Sequence, residues 1–497
     1  MKKCLSLLLA VMMLTGLVSL PALAEDVPTI TMIMSGDNSP TTNNTVIQEL
    51  NRRLGVNLEI TYVSANDYNT KLNALIDAKT LPDIYSVSDA SILRQLKDAG
   101  MLYNFEPILE EYGPAILAGN GDVLRNPLLN RDGLYLLVSE AGMYEKGLAI
   151  RKDWLQKVGL DMPTDIDSLY EVMRAFTFDD PGGDGESNTY GFVANMADGK
   201  ASMWQKIMVA FDIPMRFTNG AVLPEDGTVT SVIKHPRFLE AMEFLHKLYA
   251  EGILYPDFAS VTQMQCFEML WQGRVGMLGF QAVGVTNNWY PGRYTFDVPE
   301  DPGGIFGFAF INGKGAVREY PDYSVGTVIN AQCEHPELAL KVLDYMYYTE
   351  EGQELTFLGV EGTHFQWIDK ENGKYERLGI YTDDTTHRAD GAYVYNWAGG
   401  WTPENISTRL MNKTTQEATV AERAAATDYP YISTVLESRS EYGSTMDEIV
   451  KECFATLIVT TGDMEAEYQE FVTRWEEEGG LEYEAEATAA YAAEHAQ

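Results

Sequence analysis

Oxygen-bearing side chains recur at alternate positions of a Gly- and Asp-rich loop, a spacing typical of sites for a hard divalent cation. In EF-hand-like loops such carboxylate and amide oxygens bind Ca²⁺, and a Gly at the sixth position allows a sharp turn. Gly185 fits that position, but Gly182 offers no side chain and Gly191 replaces the expected bidentate Glu. The loop is therefore either a structural calcium site or a tight Asp/Gly turn without metal, and no other cofactor is required. The candidate ligands are Asp180, Asp184, Glu186 and Asn188.

Two tryptophans near residue 400 could act as platforms for a ligand. Trp397 and Trp401 are separated by small residues in a stretch without helical periodicity, so we do not expect them to form one helix stripe. Flat aromatic rings on such a segment can bind the apolar face of a ligand. The alternative, that either ring is part of a hydrophobic core, stays open.

Sequence motifs for catalysis are absent from the chain. It contains no GxSxG, no HExxH, no Walker loop and no Gly-rich dinucleotide fingerprint. The six His residues show no metal-ligand spacing. With 73 acidic residues, chance pairs of carboxylates are unavoidable, so such pairs do not indicate a glycosidase. We expect a protein that is not an enzyme, with a secreted glycoside hydrolase as the alternative.

The first 24 residues are typical of a cleaved export signal. Lys2 and Lys3 precede an apolar stretch, and the small-x-small pattern that ends at Ala24 is a signal-peptidase site. The apolar run is short for a membrane anchor. Cys4 lies before that run, so no lipid-anchor cysteine stands at the cut. We therefore expect an extracytoplasmic protein, secreted or held at the cell surface or in the periplasm.

Length and charge indicate a large soluble protein with an acidic surface. Removal of 24 residues from 497 leaves 473, more than one compact core usually holds, so two lobes are expected. A formal net charge of −37 disfavours nucleic acid and anionic membranes as partners. Three cysteines remain after processing, too few and too widely spaced for a disulfide framework, and small buried side chains are the simpler interpretation. They are Cys266, Cys333 and Cys453.

The hydrophobic pattern predicts alternating strands and helices that would position these residues. Strands are predicted at 30–34, 56–63 and from Leu81, with amphipathic helices between them. Such alternation indicates an α/β domain with a largely parallel sheet. Further along, the pattern predicts strands at 147–151 and 276–279 and helices from Lys152, Pro236, Pro336 and Met464. The tail from Glu482 is either a closing surface helix or a frayed end.

Several stretches together resemble the extracellular solute-binding proteins of sugar-importing ABC transporters, especially the alginate-binding and lipoprotein-like oligosaccharide receptors. Their order and spacing span nearly the whole mature chain. One departure is the missing lipidated cysteine at the mature N-terminus. The stretches are LPDI at 81–84, LAIRKDWL at 148–155, DPGGDG at 180–185 with TYG at 189–191, WQGRVGM at 271–277, EEG at 350–352 with GVEG at 359–362, and the terminal helix with Trp475 before Gly479 and Gly480.

The resemblance implies a two-lobed, periplasmic-binding-protein-like fold of type II. Each lobe would be a mostly parallel sheet flanked by helices, with the ligand bound between the lobes. The first lobe would take residues 25–147 and 295–358, and the second would take 148–294 and 359–497. Three chain crossings near Gly147, Tyr294 and Val360 would form the hinge. The implied function is capture of a carbohydrate, an oligosaccharide above all, for a membrane permease, by a monomer.

The implied fold also places candidate ligand-binding residues at the loops that face the cleft. Sugars offer apolar C–H faces and a rim of hydroxyls, so aromatic platforms and polar groups are needed together. A peptide-binding receptor on the same fold is a further alternative. The candidates are Asp37, Asn38, Ser88 and Asp89 from the first lobe, and Trp204, Phe280, Trp397 and Trp401 from the second.

Overall fold

The computed structural model describes most of the chain between Val27 and His495. The described residues are 27–35, 40–64, 67–88, 90–124, 133–137, 148–183, 185–186, 188–196, 203–213, 221–222, 227–279, 294–296, 302–314, 317–318, 325–371, 373–393, 417, 421, 427–428, 432, 434 and 436–495.

The described chain contains strands and helices in alternation, followed by a helical C-terminal region. The strands are β1 (Thr29–Ser35), β2 (Asn57–Val63), β3 (Ile84–Ser88), β4 (Leu136–Leu137), β5 (Leu148–Arg151), β6 (Ala221–Val222), β7 (Val229–Thr230), β8 (Met277–Leu278), β9 (Phe306–Ala309), β10 (Val317–Arg318), β11 (Val325–Ile329), β12 (Phe365–Asp369), β13 (Lys374–Arg377) and β14 (Thr427–Asp428).

The helices are α1 (Thr45–Leu54), α2 (Tyr68–Ala78), α3 (Ala90–Asp98), α4 (Leu109–Tyr112), α5 (Pro114–Leu124), α6 (Lys152–Val158), α7 (Ile166–Phe178), α8 (Gln205–Ala210), α9 (Phe238–Ala250), α10 (Gln263–Trp271), α11 (Pro336–Tyr348), α12 (Glu350–Leu358), α13 (Asp384–Ala389), α14 (Glu437–Val459), α15 (Met464–Trp475) and α16 (Leu481–His495).

The first sheet has the strand order β2-β1-β3-β11-β4. Strands β1, β2 and β3 run parallel because α1 and α2 carry the chain back between them. Strand β11 is antiparallel to β3, from Val325 opposite Ser88 to Ile329 opposite Ile84. The predicted strand–helix–strand alternation is confirmed here, with strand and helix bounds that differ from the prediction by a few residues.

Both faces of this sheet are buried, which explains the continuous apolar runs in its strands. Side chains alternate between the faces, so Met32 belongs to one hydrophobic cluster and Ile33 to the other. In the same way Ile84 and Tyr85 lie in different clusters. These two clusters together are the first core.

The LPDI stretch aligns three strands of the first sheet at one end. Asp83 Oδ2 accepts hydrogen bonds from Thr31 N at 2.8 Å and from Thr31 Oγ1 at 2.7 Å, which ties the start of β3 to β1. The backbone N of Asn330 donates to Asp83 O at 2.8 Å, and its Nδ2 donates to Leu81 O at 3.0 Å. Because Asn330 follows β11, this motif sets the register of β3 on both sides.

The described part of the second sheet has the order β8-β5-β9, and both neighbours of β5 are antiparallel to it. This differs from the mostly parallel sheet that was predicted. The chain enters the second sheet at Leu148, the first residue of β5. It returns to the same end at Ala309, the last residue of β9, so the two strands run in opposite directions. Parallel pairing remains at two isolated bridges, Tyr190 with Val275 and Phe192 with Leu254.

A single large hydrophobic cluster surrounds the second sheet and is the second core. It contains Trp154, Trp271 and Trp475, all nearly fully buried. Phe306 and Ile311 belong to this cluster as well. The segment from 302 to 314 therefore packs with the second core, although the predicted boundaries assign it to the first lobe.

The RKDW stretch at the end of β5 is held in the second core by a buried arginine. Arg151 is 4% exposed and donates to Asp153 through Nε at 2.7 Å and Nη2 at 2.6 Å. Its guanidinium lies 4.9 Å from the ring centroid of Trp154 and 4.3 Å from that of Phe296. The charge is thus paired and stacked, as burial of a guanidinium requires.

The segment from 359 to 393 packs on the first core, although the predicted boundaries assign it to the second lobe. Asp390 accepts hydrogen bonds from Thr45 N at 2.9 Å and Thr45 Oγ1 at 2.8 Å, at the first residue of α1. Ala392 lies within the hydrophobic cluster of that core. A carboxylate at the N-terminus of a helix is stabilised by the unpaired N–H groups and the helix dipole.

The helix predicted from Pro336 ends at Tyr348, and Thr349 separates it from a second helix. Thr349 has an extended backbone, with φ −91° and ψ 146°, and its hydroxyl accepts the N–H of Gly352 at 3.1 Å, so a new helix begins at Glu350. A Cβ at Gly352 would lie 1.7 Å from Tyr345 O. Gly352 therefore allows close approach of two helices and does not end one.

The three mature cysteines are buried and unbridged, as expected from their spacing. Burial raises the pKa of the Cys333 thiol to about 12, so it stays protonated. None of the helices in the described ranges is long and apolar enough to cross a membrane.

The tail is a closing helix rather than a frayed end. Tyr483 and Ala487 of α16 are buried in the second core. Glu486 of the same helix caps α14, because its carboxylate accepts the backbone N–H groups of Glu437 and Ser438 at 2.8 Å each, and the Ser438 hydroxyl. Desolvation would raise the pKa of Glu486, but these hydrogen bonds outweigh it and lower the pKa.

Replacing Glu486 with Ala should therefore destabilise the second core. Loss of a helix cap costs about 1 kcal/mol, which corresponds to a drop in Tm of about 2–4 °C. Because the folded pKa is depressed, the wild-type advantage should be present above the ordinary pKa of 4.5 and should disappear as the pH falls through the folded pKa. Thermal melts at several pH values would measure it. Glu470→Ala, at an exposed position of α15, is the control, and equal melting of both variants would contradict the capping role.

Candidate functional site

The order β2-β1-β3 creates a switch point in the first sheet. From β1 the chain moves to β2 on one side and then to β3 on the other. In open α/β sheets, ligands bind outside the carboxyl ends of the strands at such a point. Asp37 and Asn38 follow β1 and Asp89 follows β3, which places all three next to it in sequence. These three residues lie outside the described residues, while Ser88 is the last residue of β3.

Tyr68 separates β1 from β3 as they approach this edge. The two strands pair only where Met32 lies opposite Ile84. Beyond that pair, the hydroxyl of Tyr68 accepts the N–H of Ser86 at 2.9 Å and donates to its C=O at 3.1 Å. Burial raises the pKa of Tyr68 to about 12, so the hydroxyl keeps its proton. The strands can therefore diverge toward the switch point without leaving Ser86 unpaired.

The first connection between the two cores starts at this same edge. Strand β4 runs antiparallel to β11, so Leu137 lies near the edge that carries Ser88 and Val325. After residues 138–147 the chain enters the second sheet at Leu148. The crossing predicted near Gly147 lies outside the described residues and stays a prediction.

The second connection lies later in the chain than predicted. Thr295 N donates to Trp271 O at 2.9 Å, so the segment at Tyr294 is still part of the second core. Strand β9 ends at Ala309 opposite Leu148, and Asn312 Nδ2 donates to Ala210 O at 3.0 Å. The chain therefore crosses between Lys314 and Val325.

The third connection also lies later than predicted, and it contains the tryptophan pair. Ala392 is in the first core and Leu436 is in the second. The crossing thus falls between them rather than at Val360. Trp397 and Trp401 belong to this connecting stretch and lie outside the described residues.

Trp204 has the environment of a core side chain. It is 0% exposed, and its indole N–H donates to Asn195 O at 2.9 Å. Its ring meets three phenylalanines edge-on at centroid distances of 5.8, 5.6 and 5.3 Å. The prediction of Trp204 as a ligand platform is not supported by this packing, because no face of the ring is open. The three partners are Phe192, Phe258 and Phe454. Phe280 lies outside the described residues.

The Asp180 loop is organised by internal hydrogen bonds. Asp180 accepts the N–H of Gly183 through Oδ1 at 2.8 Å and that of Gly185 through Oδ2 at 2.9 Å. Lys157 Nζ donates to Pro181 O at 2.9 Å and to Gly182 O at 3.3 Å. An ammonium group thus lies on the carbonyls beside Asp180, where its charge opposes binding of a second cation.

The described residues of this loop do not form a cluster of acidic metal ligands. Across the described residues, no group of three or more His, Cys, Asp or Glu side chains comes together as a metal site. Glu186 and Asn188 are described, and Asp184 is not. Gly182 contributes only its backbone carbonyl, which already accepts a hydrogen bond from Lys157.

A buried His–Asp pair in the first core makes contacts that indicate a structural role. His364 is 0% exposed; its Nδ1 accepts the N–H of Val360 at 3.0 Å and its Nε2 lies 3.2 Å from Asp390 Oδ2. Burial lowers the pKa of His364 and lowers that of His387 to about 4, so both are neutral at neutral pH. Asp390 also accepts from Tyr381 OH at 2.8 Å. The pair anchors the 359–393 segment on α1 and offers no exposed group for catalysis.

Comparison with known proteins agrees with this architecture. A family model described as "Bacterial extracellular solute-binding protein" matches residues 38–354. Lipoprotein LipO of Bacillus subtilis (strain 168) is 26% identical over 510 residues, covering 97% of this chain and 96% of LipO. The polygalacturonan/rhamnogalacturonan-binding protein YtcQ of the same organism is 25% identical over 453 residues, covering 87% of this chain and 85% of YtcQ.

A solved structure extends the likeness to the fold. The Streptococcus pneumoniae ABC-transporter substrate binding protein FusA, as an EF-hand mutant in complex with fructo-nystose, is similar with a TM-score of 0.61 and 19% identity. The match covers 94% of this chain and 99% of that one. The two cores are thus the two lobes of a type II solute-binding fold.

Proposed function

The chain belongs to the family of bacterial extracellular solute-binding proteins, and we propose that it captures an oligosaccharide between its two lobes for an ABC importer. The observation that supports this most is that Leu137, before the first connection, and Val325, after the second, lie at the same edge of the first sheet as Ser88 beside the switch point. Such an arrangement lets the lobes close over a ligand that contacts both. We propose a carbohydrate ligand because YtcQ is named for the polysaccharides that it binds, and because FusA was solved in complex with fructo-nystose.

Transport rather than turnover is the proposed outcome of binding. A receptor releases its ligand unchanged to a permease, so a glycan incubated with the protein should gain no new reducing ends. We propose that the protein acts as a monomer with one membrane permease as its partner. Formation of new reducing ends would favour the glycoside hydrolase alternative.

Family membership places the protein outside the cytoplasm. We propose that a signal peptide is cleaved after Ala24 and removes Cys4, which leaves no cysteine for lipid attachment at the new N-terminus. LipO is named a lipoprotein, so the mode of attachment would then differ between the two proteins.

The proposed binding site combines polar groups of the first lobe with aromatic rings of the connecting stretch and the second lobe. Asp37 and Asn38 follow β1 in sequence, Ser88 ends β3 and Asp89 follows it, and we propose that these residues bind hydroxyls of the sugar beside the switch point. Trp397 and Trp401 follow the described residues of the first lobe in sequence, and we propose that their rings contact the ligand. Phe280 directly follows the β8 region of the second lobe.

Trp397→Ala and Trp401→Ala should each weaken glycan binding while the fold stays intact. Loss of an aromatic platform costs about 2 kcal/mol, which raises Kd about 30-fold. Calorimetric titration with a glycan identified by thermal-shift screening would measure the change, because a ligand of the folded state raises Tm. Trp367→Ala, in the β12–β13 hairpin, is the matched control and should leave Kd unchanged. Wild-type Kd in both variants would exclude these rings from the site.

We propose that Lys157, rather than Ca²⁺, provides the positive charge in the loop after Asp180. The ammonium and the carbonyls of residues 181 and 182 make the contact that a bound ion would otherwise make. Lys157→Met should remove both hydrogen bonds, each worth about 1 kcal/mol at most when exposed, and lower Tm by about 1–3 °C.

If Lys157 takes the place of Ca²⁺ in the loop, a calcium chelator should leave the wild-type Tm unchanged. Differential scanning calorimetry with and without chelator, followed by addition of calcium, is the measurement. Lys71→Met, at an exposed position of α2, controls for loss of a surface charge. A Tm that falls with chelator and recovers with calcium would show that the loop holds the ion after all.

A further inference from the structure

Asn195 is a buried polar side chain whose amide makes no hydrogen bond with any other residue that the structure describes. The residue is 0% exposed, and neither Oδ1 nor Nδ2 has a hydrogen-bond partner within the described structure. Buried amides are nearly always paired, because burial without a partner costs free energy. An amide left unpaired in the native state therefore requires an explanation.

The backbone of Asn195 is firmly held, so the unpaired amide is not the result of a loose segment. Its C=O accepts the indole N–H of Trp204 at 2.9 Å, and the N–H of the next residue, Met196, donates to Phe258 O at 3.2 Å. The rings that surround Trp204 are apolar and offer no acceptor for Nδ2. The fold thus fixes the position of the amide and leaves its bonds unmade.

Contacts with described residues place Asn195 near the end of β8, at the edge of the second lobe where the chain enters from the first. Asn195 O accepts the indole N–H of Trp204, and a Cβ at Gly279 would lie 2.5 Å from the O of the preceding residue, Met203. Strand β8 ends opposite the start of β5, with Leu278 paired to Ala149. Leu148 is the first described residue after the first connection, so this is the edge that faces the hinge.

We propose that Asn195 binds a hydroxyl group of the ligand at this edge. The proposal rests on the proposed function and adds a second-lobe contact to it. An amide both donates and accepts, as a sugar hydroxyl does. A hydroxyl can therefore accept a hydrogen bond from Nδ2 or donate one to Oδ1. A carboxylate only accepts and would leave Oδ1 unpaired. Asn195 therefore favours a neutral hydroxyl-bearing sugar unit over a uronate at this position.

Burial of Asn195 in this conformation implies that the edge opens before the ligand reaches the amide. Hinged lobes provide such an opening. The unpaired amide then destabilises the ligand-free protein, and the ligand removes that cost on binding. This gives Asn195 a signature that a purely structural residue lacks: its removal should stabilise the free protein and weaken the complex.

Asn195→Leu, which keeps the branching and the number of heavy atoms of the side chain and removes the amide, tests the proposal. The Tm of the free protein should rise by about 2–4 °C, and Kd for a neutral glycan that the wild type binds should increase at least about tenfold. Asn330→Leu is the matched control: Asn330 is buried, but its Nδ2 donates to Leu81 O at 3.0 Å at the far end of the first sheet. That variant should have a lower Tm than the wild type and the same Kd for the glycan.

The outcomes separate the inference from the proposed function. If the wild type binds no member of a broad glycan panel, the proposed function fails and the inference fails with it. If the wild type binds and Asn195→Leu binds equally well, only the inference is overturned; a lower Tm with unchanged Kd would assign the amide to a buried water. Should Asn195→Leu not fold, Asn195→Ala replaces it, and an unchanged Kd in that variant also overturns the proposal.

Discussion

The structure depends on the fact that one chain builds two hydrophobic cores and passes between them three times. Each passage must leave one sheet and enter the other at edges that the chain can span. Strand β5 therefore starts at the hinge-side edge and β9 ends there, which makes them antiparallel. The same requirement brings β4 and β11 to the switch-point edge of the first sheet. The direction of the strands thus follows from the crossings, and the crossings also define where a ligand can contact both lobes.

Local patterns were sufficient for the individual elements and insufficient for the lobes. Helix α1 is predictable because Val46, Leu50 and Leu54 recur on one face and Gly55 ends it with φ 70°. The membership of the segments at 302–314 and 359–393 depends on contacts with residues far away in sequence. Asp390, for example, bonds Thr45 across 345 positions. Nothing in the local sequence of either segment indicates such a partner.

For the candidate site, too, some features could be predicted from local sequence and others depend on distant contacts. Asp37, Asn38 and Asp89 were selected by their position after a strand end, and as ligand-binding residues they stay predictions. Trp204 was not distinguishable from a platform, since its partners come from three separate segments. Asn195 could not be found from sequence at all, because an unpaired amide is recognised only when its surroundings are known. By comparison, the carboxylates of Asp83 and Asp390 accept hydrogen bonds from other elements of the fold, which indicates a structural role.

Closure of the two lobes over a glycan is tested most directly by small-angle X-ray scattering. Profiles of the wild-type protein would be recorded with and without a saturating glycan that raises its Tm. The account predicts a smaller radius of gyration and a shorter maximum dimension with the glycan bound. Identical profiles in the presence of proven binding would contradict closure of the lobes around the ligand.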